Sequence, residues 1–340
     1  MNGLLIKKMR VLWILVSFLL LVFTLNGFCD SSSEIDFYKG KTIILSTPHG
    51  AGGGFDTYCR LIAPILEKYL PGSSVVVENV SGGGGIIGRN KLYVAEPDGL
   101  TIGLESVTGM MFTEIADMEG VRYKTNDFVY LGRVATEPHI IAISAKSPYK
   151  KFEDMVGKTI KFAFSGVGSD DYYGAIIIGE ALGIDIKVIA GYTGNTEATL
   201  AVAKGESEAV ATSFGSLLPL IKSNDMVPIL QISENRHELL PEVPAVFEVI
   251  KEADTRKFVT TLVNLFELDR VLLAPPGLSE SKTIILREAI AKVFKNEEFI
   301  ANAEKSNRAI VYLDGLSVNN KVNEAWAKAL EVEKIIKKVK

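Results

Sequence analysis

Between Thr42 and Glu105 the chain repeats one unit: an apolar, β-branched run that stops at a glycine-rich stretch and opens into a helical pattern. Thr42 to Thr47 ends at Pro48 and the cluster Gly50 to Gly54, after which Tyr58, Leu61, Ile62, Ile65 and Leu66 fall on one helical face. Ser74 to Asn79 is the second strand, Ser81 to Gly85 its loop and Ile86 to Ala95 its helix, before Pro97-Asp98-Gly99 turns the chain into strand Thr101 to Glu105. This βαβαβ order predicts a parallel sheet in an α/β fold. Right-handed crossovers put every strand-to-helix loop at the carboxyl edge of such a sheet. Both glycine loops, and a third loop at Ser106 to Gly109, are therefore expected on one rim.

A second α/β set follows the apolar strand Ile140 to Ser144. It runs through strand Thr159 to Phe164, loop Ser165 to Ser169, helix Tyr172 to Leu182, strand Lys187 to Ile189, loop Gly191 to Asn195, a helix through Lys204, and strands Glu208 to Thr212 and Val227 to Ile232. Strand Val271 to Ala274 and the amphipathic helices Ser281 to Phe294 and Val318 to Lys337 then return the chain to the first set. The expected organisation is lobe 1 from residues 30–143 plus 268–340 and lobe 2 from residues 144–267. Two segments near Ser144 to Ser147 and Glu267 to Val271 cross between them, which makes a hinged cleft.

The first residues differ in character. Lys7, Lys8 and Arg10 precede an uncharged, mostly apolar run from Val11 to Leu25, and the polar stretch Asp30 to Glu34 follows. Fifteen apolar residues are short for the roughly 20 that span a bilayer, so residues 1–29 read as a signal peptide. The spacing Gly27-Phe28-Cys29 suits cleavage before Asp30. Lipid anchoring at Cys29 is the weaker reading, because bulky Phe28 stands where a lipobox has a small residue. Cleavage moves the formal charge from −4 to −7 by removing three cations and leaves Cys59 as the sole thiol, expected as a small buried side chain. An acidic chain that captures an anion must do so through local dipoles or a few side chains, and nothing points to nucleic acid.

In Gly50-Ala51-Gly52-Gly53-Gly54-Phe55-Asp56 side chains are missing where a strand opens into a helix, so backbone N–H groups and the helix N-terminus can meet an anion. Asp56 reads as the cap of that helix, with an ammonium receptor as the alternative. Gly83-Gly84-Gly85-Ile86-Ile87-Gly88, with Glu105 at the end of the next strand, satisfies the dinucleotide fingerprint, whereas Arg89-Asn90 excludes a Walker A loop. His49 adjoins the first loop and is a candidate ligand contact. Neither it, His139 nor His237 has a metal-ligating neighbour at useful spacing, so no metal and no cofactor is expected. There is no G-x-S-x-G elbow and no evident carboxylate pair, which argues against an enzyme.

Taken in order, several segments resemble the tripartite tricarboxylate transporter receptors, also called Bug or TctC proteins. They are Gly52-Gly53-Gly54-Phe55-Asp56 with Arg60, Val76-Val77-Glu78-Asn79 before Gly82 to Gly85 and Gly88, Pro97-Asp98-Gly99-Leu100-Thr101, Ser165-Gly166-Val167-Gly168-Ser169, Tyr192-Thr193-Gly194 and Pro241-Glu242-Val243-Pro244. The resemblance spans most of the chain beyond residue 29. It implies a two-lobed periplasmic binding protein of type II-like architecture, with two mixed sheets flanked by helices and a hinge of two crossing segments. It further implies an exported monomer that holds a small di- or tricarboxylate or related organic acid in its cleft. The solute would pass to the large and small membrane subunits of the transporter. Carried over residue by residue, the ligand-binding positions are Gly52, Gly53, Gly54, Gly83, Gly84, Ser106, Thr108, Ser165, Gly168, Ser169, Tyr192, Thr193 and Ser213. Ser81, where the family usually has proline, Glu208, where it often has aspartate, and His49 depart from the pattern and bear on the ligand. The alternatives are a dinucleotide-dependent enzyme built on Gly83 to Gly88 and a sensor that reports a ligand to a membrane kinase.

Overall fold

Residues 35–330 and 333–338 are described by a computed structural model. The expected leader, with Cys29, lies outside the described residues. The strands are β1 (Thr42–Thr47), β2 (Ser74–Asn79), β3 (Thr101–Glu105), β4 (Val129–Arg133), β5 (His139–Ser144), β6 (Thr159–Phe164), β7 (Asp185–Ala190), β8 (Ala209–Ser213), β9 (Met226–Ile232), β10 (Val271–Ala274) and β11 (Leu313–Asp314). The helices that matter for the site are α1 (Gly54–Tyr69), α2 (Ile86–Tyr93), α3 (Val107–Ile115), α4 (Asp170–Leu182), α5 (Asn195–Lys204), α6 (Phe214–Lys222) and α7 (Ala253–Leu265).

Two mixed sheets organise the chain, a six-stranded one in the order β11-β4-β10-β3-β1-β2 and a five-stranded one in the order β7-β6-β8-β5-β9. The parallel cores β3-β1-β2 and β7-β6-β8 are the units legible as strand, loop and helix. The antiparallel members come from the crossings: β10 lies between β3 and β4, and β5 between β8 and β9. Helix α1 covers the first sheet because Phe55, Tyr58, Cys59, Ile62, Ile65 and Leu66 share its buried face. Each large apolar side chain so buried contributes about 1.5–3 kcal/mol. Cys59 is a buried free thiol, as its position on this face requires.

Two expectations are corrected. The stretch Ser106 to Gly109 is not a loop; Ser106 caps α3 by accepting the Gly109 N–H, so the helix begins at once. The first crossing precedes β5 rather than following it. The chain leaves the first sheet after Arg133 and enters the second at His139, so the expected boundary at residue 143 falls inside β5. Ser144 to Ser147 is instead a turn closed by the Ser147 N–H on the Ser144 carbonyl. The second crossing, residues 266–270, overlaps the expected Glu267 to Val271, whose last residue already belongs to β10. The two crossings touch, since Val134 N–H donates to the Arg270 carbonyl at 2.9 Å.

Candidate functional site

Between the sheets lies a cleft of about 270 Å³ lined by His49, Gly50, Gly53, Gly54, His139, Asp170, Asp171, Thr193, Gly194, Asn195, Ser213, Asp269 and Arg270 among others. Topology explains the membership. The parallel strands β1 and β8 bring their carboxyl-end loops to the rim. The antiparallel strands β5 and β10 bring their first residues there, because His139 pairs with Ser213 at the end of β8 and Val271 with Glu105 at the end of β3. His139 and Arg270 thus reach the same rim from the opposite chain direction.

Of the expected positions, His49, Gly53, Gly54, Thr193 and Ser213 line this cleft. Gly52, Gly83, Gly84, Ser106, Thr108, Ser165, Gly168, Ser169 and Tyr192 do not, and all but Ser165 have another occupation. Gly52 donates its N–H to Asp56 Oδ2 at 2.8 Å. Asp56 is therefore not the N-cap of α1, which is Gly53; it sits in the first turn, takes the Gly52 N–H and Arg60 Nε, and its carboxyl is held below the usual range. Burial opposes that shift, and the hydrogen bonds from Arg60, Gly52 and Asn79, with the Arg60 charge, outweigh it.

Gly82 to Gly85 all have positive φ, from 57° to 131°, a run that only glycine adopts without strain. Gly84 meets the other lobe backbone to backbone: a Cβ there would lie 2.7 Å from the Val167 carbonyl oxygen and 2.9 Å from Ser169 N. Gly166 and Gly168 are the opposing surface. The first loop makes a similar contact, with a Cβ on Gly50 falling 2.9 Å from the Thr193 carbonyl oxygen. The two lobes are closed on one another at these two points. Glu105, the acid of the dinucleotide pattern, is buried against Arg89 at 3.4 Å and is not free to hold a ribose.

Among the remaining positions, Ser106 donates to Asp269 Oδ1 at 2.6 Å and Thr108 to the Leu265 carbonyl. Ser169 caps α4 through the Tyr172 N–H, and Tyr192 packs on the second lobe's core.

The charged lining is what local sequence patterns missed. Arg270 is 1% exposed; its Nη2 donates to Glu137 Oε2 at 3.0 Å and to Ser213 Oγ at 2.8 Å. Its Nε and Nη1 have no partner among the described residues. The guanidinium also stacks over Phe55 and Tyr58, with Gly54 beside it. Arg270 is held at φ +52°, a left-handed backbone that costs a non-glycine residue about 1–2 kcal/mol. Buried donors without partners and a strained backbone are features that ligand sites often share.

Opposite stands a buried cluster. His139 Nε2 faces Asp171 Oδ1 at 3.1 Å, Asp170 Oδ2 at 3.4 Å and Asp269 Oδ2 at 3.6 Å. The expectation of no metal-ligating neighbour and no carboxylate pair is corrected here, because the fold brings together residues that the sequence separates. Burial disfavours charge on His139, but the three carboxylates outweigh it and raise its pKa. Burial raises Asp171 and Asp269, with the Asp170 charge adding to both, whereas the His139 charge carries Asp170 below its usual range.

His49 stacks on Phe55 at 4.0 Å, and its buried Nε2 has no partner among the described residues. Burial lowers its pKa to about 4, so it is neutral at pH 7. The unfolded chain takes up this proton near pH 6.5 and the folded chain only near pH 4. Stability is therefore full above pH 6.5 and falls as the pH drops to about 4, by at most about 3 kcal/mol at 1.36 kcal/mol per pKa unit. Denaturant unfolding from pH 8 to pH 4 is expected to show a shallower decline in His49→Gln than in the wild type; parallel curves exclude this role for His49.

The chain matches the family described as the tripartite tricarboxylate transporter family receptor over residues 59–339. An Agrobacterium vitis protein of the UPF0065 group, from the TAR-I ttuE-ttuC' intergenic region, is 28% identical over 220 residues. That match covers 63% of this chain and 62% of the relative, so it spans less than two thirds of the relative's length. The periplasmic binding protein BugD superimposes with a TM-score of 0.74 at 20% identity, covering 88% of this chain and 98% of BugD. MatC from Rhodopseudomonas palustris with bound malate superimposes with a TM-score of 0.70 at 19% identity, covering 86% of this chain and 99% of MatC.

Proposed function

Because the chain belongs to the tripartite tricarboxylate transporter receptor family, we propose that it captures a small carboxylate in the interlobe cleft and hands it to the membrane subunits of such a transporter. The observation that carries this reading is Arg270, buried in the cleft with Nε and Nη1 unpartnered. A carboxylate on these donors makes charge-assisted bonds in a site screened from water. Gly53 and Gly54 open α1 beside it, and the helix N-terminus adds partial positive charge. The malate bound to MatC is a dicarboxylate, which agrees with this chemistry.

In this reading the protein performs no reaction. Its lobes turn about residues 134–138 and 266–270, and the solute selects the closed state by touching both lobes. It works as a monomer outside the inner membrane after loss of residues 1–29; no helix among the described residues is long and apolar enough to cross a membrane. The dinucleotide alternative loses its support, since the second lobe's backbone covers Gly84. A sensory role differs in its partner only, and uptake measured in a deletion strain separates the two.

Calorimetry of the purified protein against di- and tricarboxylates and amino acids is expected to give one-to-one saturable binding for at least one carboxylate. If nothing in that panel binds, the reading fails.

A further inference from the structure

We propose that the cleft carries a divalent transition-metal site on His139, Asp170 and Asp171, and that the solute is captured as a complex with this ion, one of its oxygens completing the coordination. The inference deepens the carboxylate-capture reading and rests on it for the solute's share of the coordination alone.

Distances come first. The donor atoms of His139, Asp170 and Asp171 all lie within 4.8 Å of one another. His139 Nε2 stands 3.1 Å from Asp171 Oδ1 and 3.4 Å from Asp170 Oδ2. A single N–H cannot serve several acceptors well, and charge-assisted N–H···O⁻ bonds run at about 2.7–2.9 Å. Donors about 2.1 Å from a common tetrahedral ion are instead about 3.4 Å apart. The two His139 contacts, at 3.1 and 3.4 Å, come close to that spacing, and the third pair lies within 4.8 Å.

Orientation is the second argument. Metal-ligating carboxylates are usually fixed by hydrogen bonds from outside the coordination sphere. Asn195 Nδ2 donates to Asp171 Oδ2, leaving Oδ1 toward His139. Ser106 does the same for Asp269, whose Oδ2 lies 3.6 Å from the same Nε2. Asp170 is 2% exposed, and its Oδ1 has no partner among the described residues. That atom is an unpartnered donor to any ion in the cleft it lines.

Charge is the third. Arg270 is engaged by Glu137 and Arg89 by Glu105. One imidazolium faces three carboxylates at close range, with the Arg89 and Arg270 charges also acting on them, and buried negative charge in excess is costly. A divalent ion that takes the place of the Nε2 proton, which leaves to solvent, lowers that excess by one unit. One imidazole nitrogen with carboxylate oxygens suits zinc, manganese or ferrous iron over calcium or magnesium, which take oxygen alone. Three protein ligands leave a position open to the cleft, where Arg270 would hold the solute's carboxylate.

The test uses the purified protein, stripped with EDTA and titrated with Zn²⁺ alone, and in parallel with Co²⁺ read by its visible absorption. One equivalent of Zn²⁺ is expected to bind, with affinity reduced at least about 100-fold in His139→Gln and in Asp170→Asn, and roughly 10-fold in Asn195→Ala. Co²⁺ is expected to give the intense bands of a four-coordinate site in the unmodified protein, a readout that needs no variant to fold. No saturable Zn²⁺ uptake, uptake unchanged in both ligand variants, or a Co²⁺ spectrum identical to the aqueous ion each overturns the proposal. Carboxylate binding in metal-free buffer then decides the capture reading separately. An amino acid that binds equally with and without Zn²⁺, and is lost in Asp171→Asn, assigns the cluster to an ammonium group and likewise overturns the metal.

Discussion

Arg270→Met is expected to weaken solute binding at least 100-fold, on the order of 3 kcal/mol, measured by calorimetry with whichever carboxylate the wild type binds. The buried guanidinium offers Nε and Nη1 to the cleft while Nη2 is anchored on Glu137 and Ser213. Methionine keeps the apolar stem over Phe55 and Tyr58 but offers no donor. A second consequence must be separated from the first. Glu137 is 6% exposed and loses one partner, keeping the Gly215 N–H at 3.2 Å, the Tyr58 hydroxyl at 3.4 Å and the Arg308 charge, so the loss of stability is expected to stay below the about 3–5 kcal/mol of a buried pair broken outright. The double variant Arg270→Met with Glu137→Gln removes that carboxylate as well, and with it a counter-charge of Arg308, and is expected to regain none of the binding. Arg270→Lys should fall between, because one ammonium cannot serve Glu137, Ser213 and a solute with the fork geometry that arginine supplies. Binding by Arg270→Met within threefold of the wild type excludes the assigned role.

The position of Arg270 gives it a further effect. It stands on the second crossing, Glu137 on the first, and the two crossings are joined by the Val134 N–H to Arg270 carbonyl bond. In the proposed reading a solute on Arg270 would load the hinge directly as well as the lobe faces, coupling binding to hinge geometry through one side chain.

The contrast between what could and could not be read from the chain follows from the direction of the strands. The bounds of β1, β2, β3, β6 and β10 were legible because each is an apolar or β-branched run cut by glycine, proline or a polar turn. Loops that follow parallel strands were placed on the rim by handedness alone. His139 and Arg270 escaped because they begin antiparallel strands, and which strand neighbours which is not written locally. His139 sat in an apolar run, and its three carboxylates are remote in sequence. Asp170 and Asp171 resembled ordinary acids in a first helical turn, where the dipole favours them in any helix. The glycines posed a different difficulty. A glycine needed so that a ligand can touch the backbone and one needed so that another lobe can touch it look alike in sequence. Gly53 and Gly54 line the cleft, whereas Gly84 meets the opposing lobe.

Gly84→Ala is the variant that isolates this second use. Gly52 and Gly84 both have left-handed backbones, φ +78° and +62°, so alanine at either position carries a similar strain of about 1–2 kcal/mol. Their surroundings differ. A Cβ on Gly52 has nothing within 4 Å, whereas one on Gly84 meets Val167 O at 2.7 Å and Gly168 C and Ser169 N at 2.9 Å. These are backbone atoms of the other lobe, which no rotamer change can move aside, so the overlap is relieved only when the lobes part. Gly52→Ala is therefore expected to lose some stability and keep its affinity. Gly84→Ala is expected to populate the open state, and apparent affinity falls in proportion to the lost closed fraction. A bias of about 2 kcal/mol toward opening weakens binding roughly 30-fold. Small-angle scattering is expected to show a larger radius of gyration for Gly84→Ala that contracts only at much higher solute concentration than the wild type needs. If Gly84→Ala closes and binds as Gly52→Ala does, the contact between Gly84 and the Val167 to Ser169 backbone is not what limits closure, and the glycine run serves only the turn it makes.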